Sequence, residues 1–218
     1  MGIDTGGGVG LDYTVGVVLD CHLPFEQCAI WQSNKIRPAE AAELLANMGQ
    51  YYNNAFATVE SNAIGAGLLD VLLHTHKYSN IYRKEEQLDS DPHVSDKFGW
   101  ATTQTGKHLL LTEFQQAWRE KAIILHDRTT IEEFCNYVYL KKQKWNPNQI
   151  LKTGAIEGMH DDCVIATMLA LHAAKLWPQE GKTKKSATLK NSQYATMLDR
   201  FTKKLKMRGM GKLKPEIM

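Results

Sequence analysis

Apolar positions along this chain fall in short blocks separated by polar and glycine-rich stretches. Residues 1–4 and 13–20 (Tyr-Thr-Val-Gly-Val-Val-Leu-Asp) read as strands joined by the glycine-rich loop 5–12. A third apolar run, 28–33, follows a turn at Pro24. Connectors this short predict an antiparallel meander. Pro38 opens a helix reaching Tyr52, with proline in the tolerated first turn. Residues 55–60 then read as a strand, 64–77 as a helix and 79–84 as a further strand. That alternation predicts right-handed crossovers and parallel pairing. The fold class expected is α/β: a mixed sheet, an antiparallel three-strand meander followed by parallel strands, flanked by helices.

The second half is less regular. Residues 85–103 are polar and read as a long loop, and 105–121 as a helix. Ile123-Ile124-Leu125 is a short apolar run. Residues 129–140 read as a helix with Glu132 and Glu133 near its positive end. Residues 141–157 carry the turn chemistry of a hairpin or exposed loop. The segment 161–177 is apolar on most faces and is expected to be a buried helix. Beyond it, 181–186 reads as a linker, and Tyr194, Met197, Leu198, Phe201 and Leu205 mark an amphipathic basic helix. The division expected is a domain over 1–177 and a basic extension over 178–218.

Composition agrees with this division. A chain of 218 residues, 43% hydrophobic and 23% charged, suits one globular domain with an extension. No apolar run approaches the roughly 20 residues of a membrane span. The first residues lack a secretory signal and enter a strand almost at once, as expected of a segment internal to a longer protein. Cys21, Cys28, Cys135 and Cys163 form no CxxC pair and no zinc-like cluster along the sequence, which fits a reduced, cytosolic setting. From Pro178 onward there are eleven Lys or Arg against three acids, a net +8. The first 177 residues hold fifteen against twenty-one, a net −6. A basic tail on an acidic body fits an anionic partner or a solvated helix.

The candidate chemistry lies in acids at the ends of these elements. Asp4 heads the first strand run, Glu60 closes the second apolar block, and Asp161-Asp162 open the last helix. A carboxylate ending a buried strand is costly unless something positive neutralises it. Carboxylates converging from these places would form a hard, oxygen-rich site for Mg²⁺ or Mn²⁺. Asp161 and Asp162 differ by roughly 100° around a helix, so they do not face one spot. Asp162 stacks over Ala166, Ala170 and Ala173, small residues that permit close approach to a sheet; Asp161 stacks over Val164, Ile165 and Met168. Asp162 is therefore the preferred ligand, and Asp161 an N-cap or neighbouring helper. Against this, an Asp after a strand is usually a turn residue and an Asp at a helix start usually a cap. Asp12 is either a turn residue or an acid just behind the ligands.

Four motifs carry a resemblance. Gly2-Ile3-Asp4-Thr5-Gly6-Gly7-Gly8-Val9-Gly10-Leu11-Asp12, Val59-Glu60-Ser61-Asn62-Ala63-Ile64-Gly65-Ala66-Gly67-Leu68-Leu69, Phe98-Gly99-Trp100-Ala101-Thr102-Thr103 with Lys107, and Gly158-Met159-His160-Asp161-Asp162-Cys163-Val164-Ile165-Ala166 occur in that order. Together they resemble the nuclease domain of the large terminase subunit, the DNA-packaging motor of tailed bacteriophages and related viruses. The resemblance covers about residues 1–177. It implies an RNase H-like fold and two divalent ions, Mg or Mn, held by Asp4, Glu60 and Asp162, with Asp161 in the catalytic set and Asp12 and His160 close behind. His160 and Lys107 read on their own as an exposed histidine and a surface charge.

The activity implied is a metal-dependent endonuclease that cuts concatemeric viral DNA during packaging. Lys107, Lys141, Lys142 and Lys144 are candidate contacts to double-stranded DNA, besides the basic tail. The full-length proteins of this family carry an N-terminal ATPase domain and work with a portal and a small terminase subunit. The setting implied is the host cytoplasm, with transient docking on the procapsid. This chain has no G-x-x-x-x-G-K-[ST], so no ATPase activity is expected of it. The rival readings are another RNase H-like nuclease, such as a junction resolvase or transposase core, and a non-catalytic docking module of the motor.

Overall fold

The computed structural model describes residues 1–7, 10, 12–62, 64–84, 97–140, 152–177 and 214–215. Strands β1 (Gly2–Asp4), β2 (Thr14–Leu19) and β3 (Phe25–Ser33) form the expected antiparallel meander, with Ile3 opposite Gly16 and Val17 opposite Ile30. Helix α1 (Pro38–Tyr51) follows, and β4 (Thr58–Val59) returns parallel to β1, pairing Ile3 with Val59. Lys214-Pro215, labelled β10 here, lies antiparallel to β3 on the far side. The resulting strand order is β10-β3-β2-β1-β4.

Both faces of this sheet are covered, which explains why Thr14–Leu19 is buried throughout. Along it, Val15, Val17 and Leu19 face one core, shared with helices α3 (Gln104–Arg119) and α5 (Asp162–Leu176). Val18 faces the other, shared with α1 and with α2 (Ile64–Asp70), which continues through a π-helical turn over Val71–Thr75. Glycine permits two close approaches. A Cβ on Gly16 would lie 2.4 Å from Leu45 Cδ2, and one on Gly2 would lie 2.0 Å from the Ala166 carbonyl oxygen and 2.2 Å from Ala170 N. The alanine stripe of α5 therefore rests directly on β1. That contact keeps the helix buried from Cys163 to Ala174.

Several expected elements differ. The strand expected over 79–84 reaches the sheet only through a parallel bridge between Ala57 and Ile81. Arg83–Lys84 (β5) instead pairs antiparallel with Lys97–Phe98 (β6), inside the expected loop. Trp100 extends this segment by bridging to Glu60. Ile123–Ile124 (β7) joins β3 in parallel. The helix expected over 129–140 is α4 (Arg128–Cys135), ending at Asn136. Tyr137–Tyr139 (β8) then pairs with Thr153–Ala155 (β9), because a Tyr-Val-Tyr run suits a pleated surface better than a helix. The expected 141–157 hairpin is thus present at its base, while 141–151 lies outside the described residues. So does the tail over 178–218, apart from Lys214-Pro215.

Candidate active site

The parallel pairing of β1 with β4 brings two acids side by side. Glu60 N–H donates to the Ile3 carbonyl at 2.9 Å, which fixes Glu60 beside Asp4. Asp4 is buried, and its Oδ1 accepts the Thr5 N–H at 2.9 Å. Burial is the main force holding the Asp4 carboxyl well above the usual carboxylate range. A side-chain hydrogen bond with Glu60 and the charges of Glu60 and Asp162 act in the same direction. Glu60 is steadied from the other side, where Asn62 Nδ2 reaches its Oε1 at 3.4 Å. The same Asn62 side chain brackets Thr102, donating to its carbonyl and accepting its N–H, each at 3.1 Å.

The third acid arrives on α5. Asp162 is the first residue of the helix, and burial pushes its carboxyl up to about 6. The Tyr13 backbone and His160 oppose that rise, while Glu133 and Asp161 add to it. Its Oδ2 is buried without a hydrogen-bond partner among the described residues. His160 Nδ1 stands 3.4 Å from that oxygen, with its ring edge-on to Tyr13 at 5.2 Å. His160 is thus about half exposed, as expected, yet faces the site. Lys107, expected at the surface, is only 24% exposed and lies 3.9 Å from Asp161 Oδ2.

Asp161 occupies the N-cap position, but its side chain makes no capping hydrogen bond. Glu133 does this work from α4, accepting the Cys163 N–H at 2.8 Å. Glu133 was expected near the positive end of its own helix; it lies instead at the positive end of α5. Burial raises its carboxyl, and the Cys163 and Val164 backbone hydrogen bonds counter this. No local pattern marks Glu133, because the contact depends on two helices thirty residues apart in sequence packing together. Asn62 was also missed, although it stands two residues after Glu60.

The structure therefore groups Asp4, Glu60 and Asp162, with Asp161, His160 and Lys107 on the rim. Asp12 is exposed, and the charges felt by Asp4 and Asp162 come from other groups. Lys141, Lys142 and Lys144 lie outside the described residues. An all-oxygen donor set with a buried, unpartnered carboxylate oxygen fits a hard divalent cation. The three acids are spread more widely than the ligands of a single ion: among the described residues, only Asp20, Cys21 and His22 bring three ligand atoms within 4.8 Å of one another.

Comparison with known proteins bears on the fold and the family. A family model described as the terminase RNase H-like domain matches residues 1–174. No curated protein matches the chain. Among solved structures, the large terminase nuclease from thermophilic phage G20c with bound cobalt superposes with a TM-score of 0.61 at 18% identity, covering 78% of each chain. The same nuclease with bound magnesium gives 0.61 at 17%, again covering 78% of each chain. The large terminase nuclease domain of Thermus phage P74-26 gives 0.57 at 18%, covering 78% of this chain and 75% of that one. Identities this low speak to the fold, which is RNase H-like: a mixed sheet flanked by helices. With the family model spanning residues 1–174 of 218, the chain belongs to the terminase RNase H-like domain family.

Proposed function

We propose that this chain is a divalent-metal-dependent endodeoxyribonuclease that cleaves concatemeric viral DNA during genome packaging. One observation carries the reading: Asp4 and Glu60, from neighbouring parallel strands, meet Asp162, whose buried Oδ2 has no hydrogen-bond partner among the described residues. The cobalt- and magnesium-bound relatives support it.

Asp4, Glu60 and Asp162 would hold two ions, Mg or Mn, and Asp161 would assist. The wide spread of the acids suits a pair of ions about 3.5–4 Å apart better than one. Held by Asp4, Glu60 and Asp162, such ions would lower the pKa of water and offset negative charge on phosphate oxygens. The protein's part is to position. The β1–β4 ladder fixes Asp4 beside Glu60, and Glu133 fixes the start of α5. Lys107 draws on Asp161 and leaves Asp162 Oδ2 to the ions. His160 stands at the rim with Nδ1 3.4 Å from Asp162 Oδ2. Asp12 remains proposed as an acid behind the ligands.

DNA would be held through its backbone, by Lys107 and by Lys141, Lys142, Lys144 and the basic tail, so binding weakens with salt. In the full-length protein an ATPase domain, a portal and a small terminase subunit would be its partners, at the procapsid in the host cytoplasm. The test is cleavage of plasmid DNA with Mn²⁺, Mg²⁺ or EDTA, comparing the native chain with Asp4→Asn and Asp162→Asn. Metal-dependent cutting lost in both variants is expected. Cutting that survives EDTA, or full activity in both variants, overturns the reading. A strong preference for branched over linear DNA would point to a junction resolvase instead, and no cleavage under any condition to a docking module.

A further inference from the structure

We propose that Asp20, Cys21 and His22, with Cys28 of the adjoining strand as a candidate fourth donor, form a second metal site, selective for a borderline-soft divalent ion of the zinc class, at the turn between β2 and β3. The sequence shows no CxxC spacing; the three residues are adjacent in sequence, and the turn brings their ligand atoms together. A carboxylate oxygen, a thiol sulfur and an imidazole nitrogen here lie within 4.8 Å of one another. In a tetrahedral zinc site, bonds of about 2.0–2.3 Å place ligand atoms roughly 3.3–3.8 Å apart. The remaining adjustment is small. The side chains of His22 and Asp20 are 74% and 48% exposed, so their rotamers can close it.

Two further features favour an ion. His22 Nδ1 already stands 2.6 Å from Asp20 Oδ1, so two of the donors are held side by side. The second feature is Cys28, from the opposite strand. The β2–β3 register shifts between Val18 and Leu19: Val18 pairs with Ala29 and Leu19 with Gln27, leaving Cys28 as the extra residue of a bulge. Its thiol donates to the Glu26 carbonyl at 3.5 Å and lies close enough to the turn to be influenced by Asp20 and Cys21. Sulfur, nitrogen and oxygen donors thus meet at the turn, with a second sulfur on the adjoining strand. That donor set suits zinc or cobalt and is a poor match for magnesium, which prefers oxygen alone.

This site is separate from the carboxylate cluster. Asp4 pairs with Val15, and Asp20 lies five residues farther along the same strand. At ~3.4 Å per residue that is roughly 17 Å away, at the other end of the sheet. An ion there would fasten the β2–β3 turn rather than take part in cutting DNA.

The test is titration of the reduced chain with Co²⁺, followed by absorption. One equivalent should give thiolate-to-cobalt charge-transfer absorption with the visible bands of a tetrahedral site, and stoichiometric Zn²⁺ should displace it. Cobalt held by the carboxylate cluster gives no charge-transfer band, so the two sites are read apart. Cys21→Ser should abolish the band. His22→Ala and Cys28→Ser should each weaken binding by about tenfold or more. Cys135→Ser, on an exposed helix end, should leave it unchanged. No charge-transfer band at stoichiometric cobalt, or a band that survives Cys21→Ser, overturns the proposal. Unchanged affinity in Cys28→Ser removes that residue from the ligand set.

Discussion

Glu133 accepts the backbone N–H of Cys163 at 2.8 Å, so the helix carrying Asp162 is capped by a side chain from another helix. Asp161, at the N-cap position, leaves that task undone. Glu133→Ala leaves a half-buried N–H without its partner, and is expected to cost about 1–3 kcal/mol. Glu133→Gln keeps an acceptor and should lose less. Urea unfolding of the two variants checks this. Equal losses would mean that the carboxylate's charge at the helix start, and not a neutral acceptor there, carries the contact.

The buried acids make the metal-free chain sensitive to pH. Asp162 is raised from an ordinary value of 3.8 to about 6. Between those values the folded chain holds more protons than the unfolded one, so stability falls as pH rises through the window. Asp4, also raised, extends the fall in the same direction. Without divalent ions, Asp4→Asn and Asp162→Asn should therefore melt higher than the native chain near neutral pH, and the gap should shrink toward pH 4 or so. Thermal melts in EDTA across that range decide it. Variants melting below the native chain at neutral pH would refute the sign.

Glu113 works in the opposite sense. Burial favours its protonation, but the hydrogen bond and charge of His172, with Lys175, outweigh burial and hold it low. Its contribution is present above its ordinary value of 4.5 and lost as pH falls through the depressed one. Its partner His172 packs 4.6 Å from Trp100, whose backbone bridges to Glu60. His172→Ala should destabilise the chain by about 1–3 kcal/mol and raise hydrogen exchange at Trp100 and Ser61. Unaltered exchange at those amides would show that His172 does not support the strand holding Glu60.

Gly2→Ala tests the seat of the helix. Its Cβ would fall 2.0 Å from the Ala166 carbonyl oxygen and 2.2 Å from Ala170 N, both backbone atoms. Helix α5 must then move off β1, at a cost of about 1–3 kcal/mol or more. The displacement separates Asp162 from Asp4, so metal-dependent cleavage should fall by more than stability alone explains. Full specific activity in folded Gly2→Ala would show that the spacing of these acids tolerates the shift.

How much of this was legible beforehand differs by element. Asp4, Glu60 and Asp162 stood at the ends of apolar runs whose alternation or helical period is local, and the alanine stripe beneath Asp162 marked its face. The four ordered motifs supplied the family. The rest depends on contacts between distant segments. Glu133 caps a helix thirty residues away, Trp100 is drawn into pairing with Glu60, and Arg83–Lys84 finds Lys97–Phe98 in place of the main sheet. Tyr137–Tyr139 follows a helix so closely that its strand character shows only once β9 is beside it. The approach of the Asp20, Cys21 and His22 ligand atoms depends on the conformation of the turn that carries them.

The pairing of Ile3 with Val59 has one last consequence. Adjacent strands stand ~4.8 Å apart whatever side chains they carry. The baseline between Asp4 and Glu60 is thus a ruler made of peptide groups, which surrounding substitutions cannot recalibrate. Asp162 rides on a helix seated through Gly2, Ala166 and Ala170. The site has one fixed jaw and one adjustable jaw, and a variant selected for an ion of different radius should acquire its changes beneath the helix, leaving the strands alone.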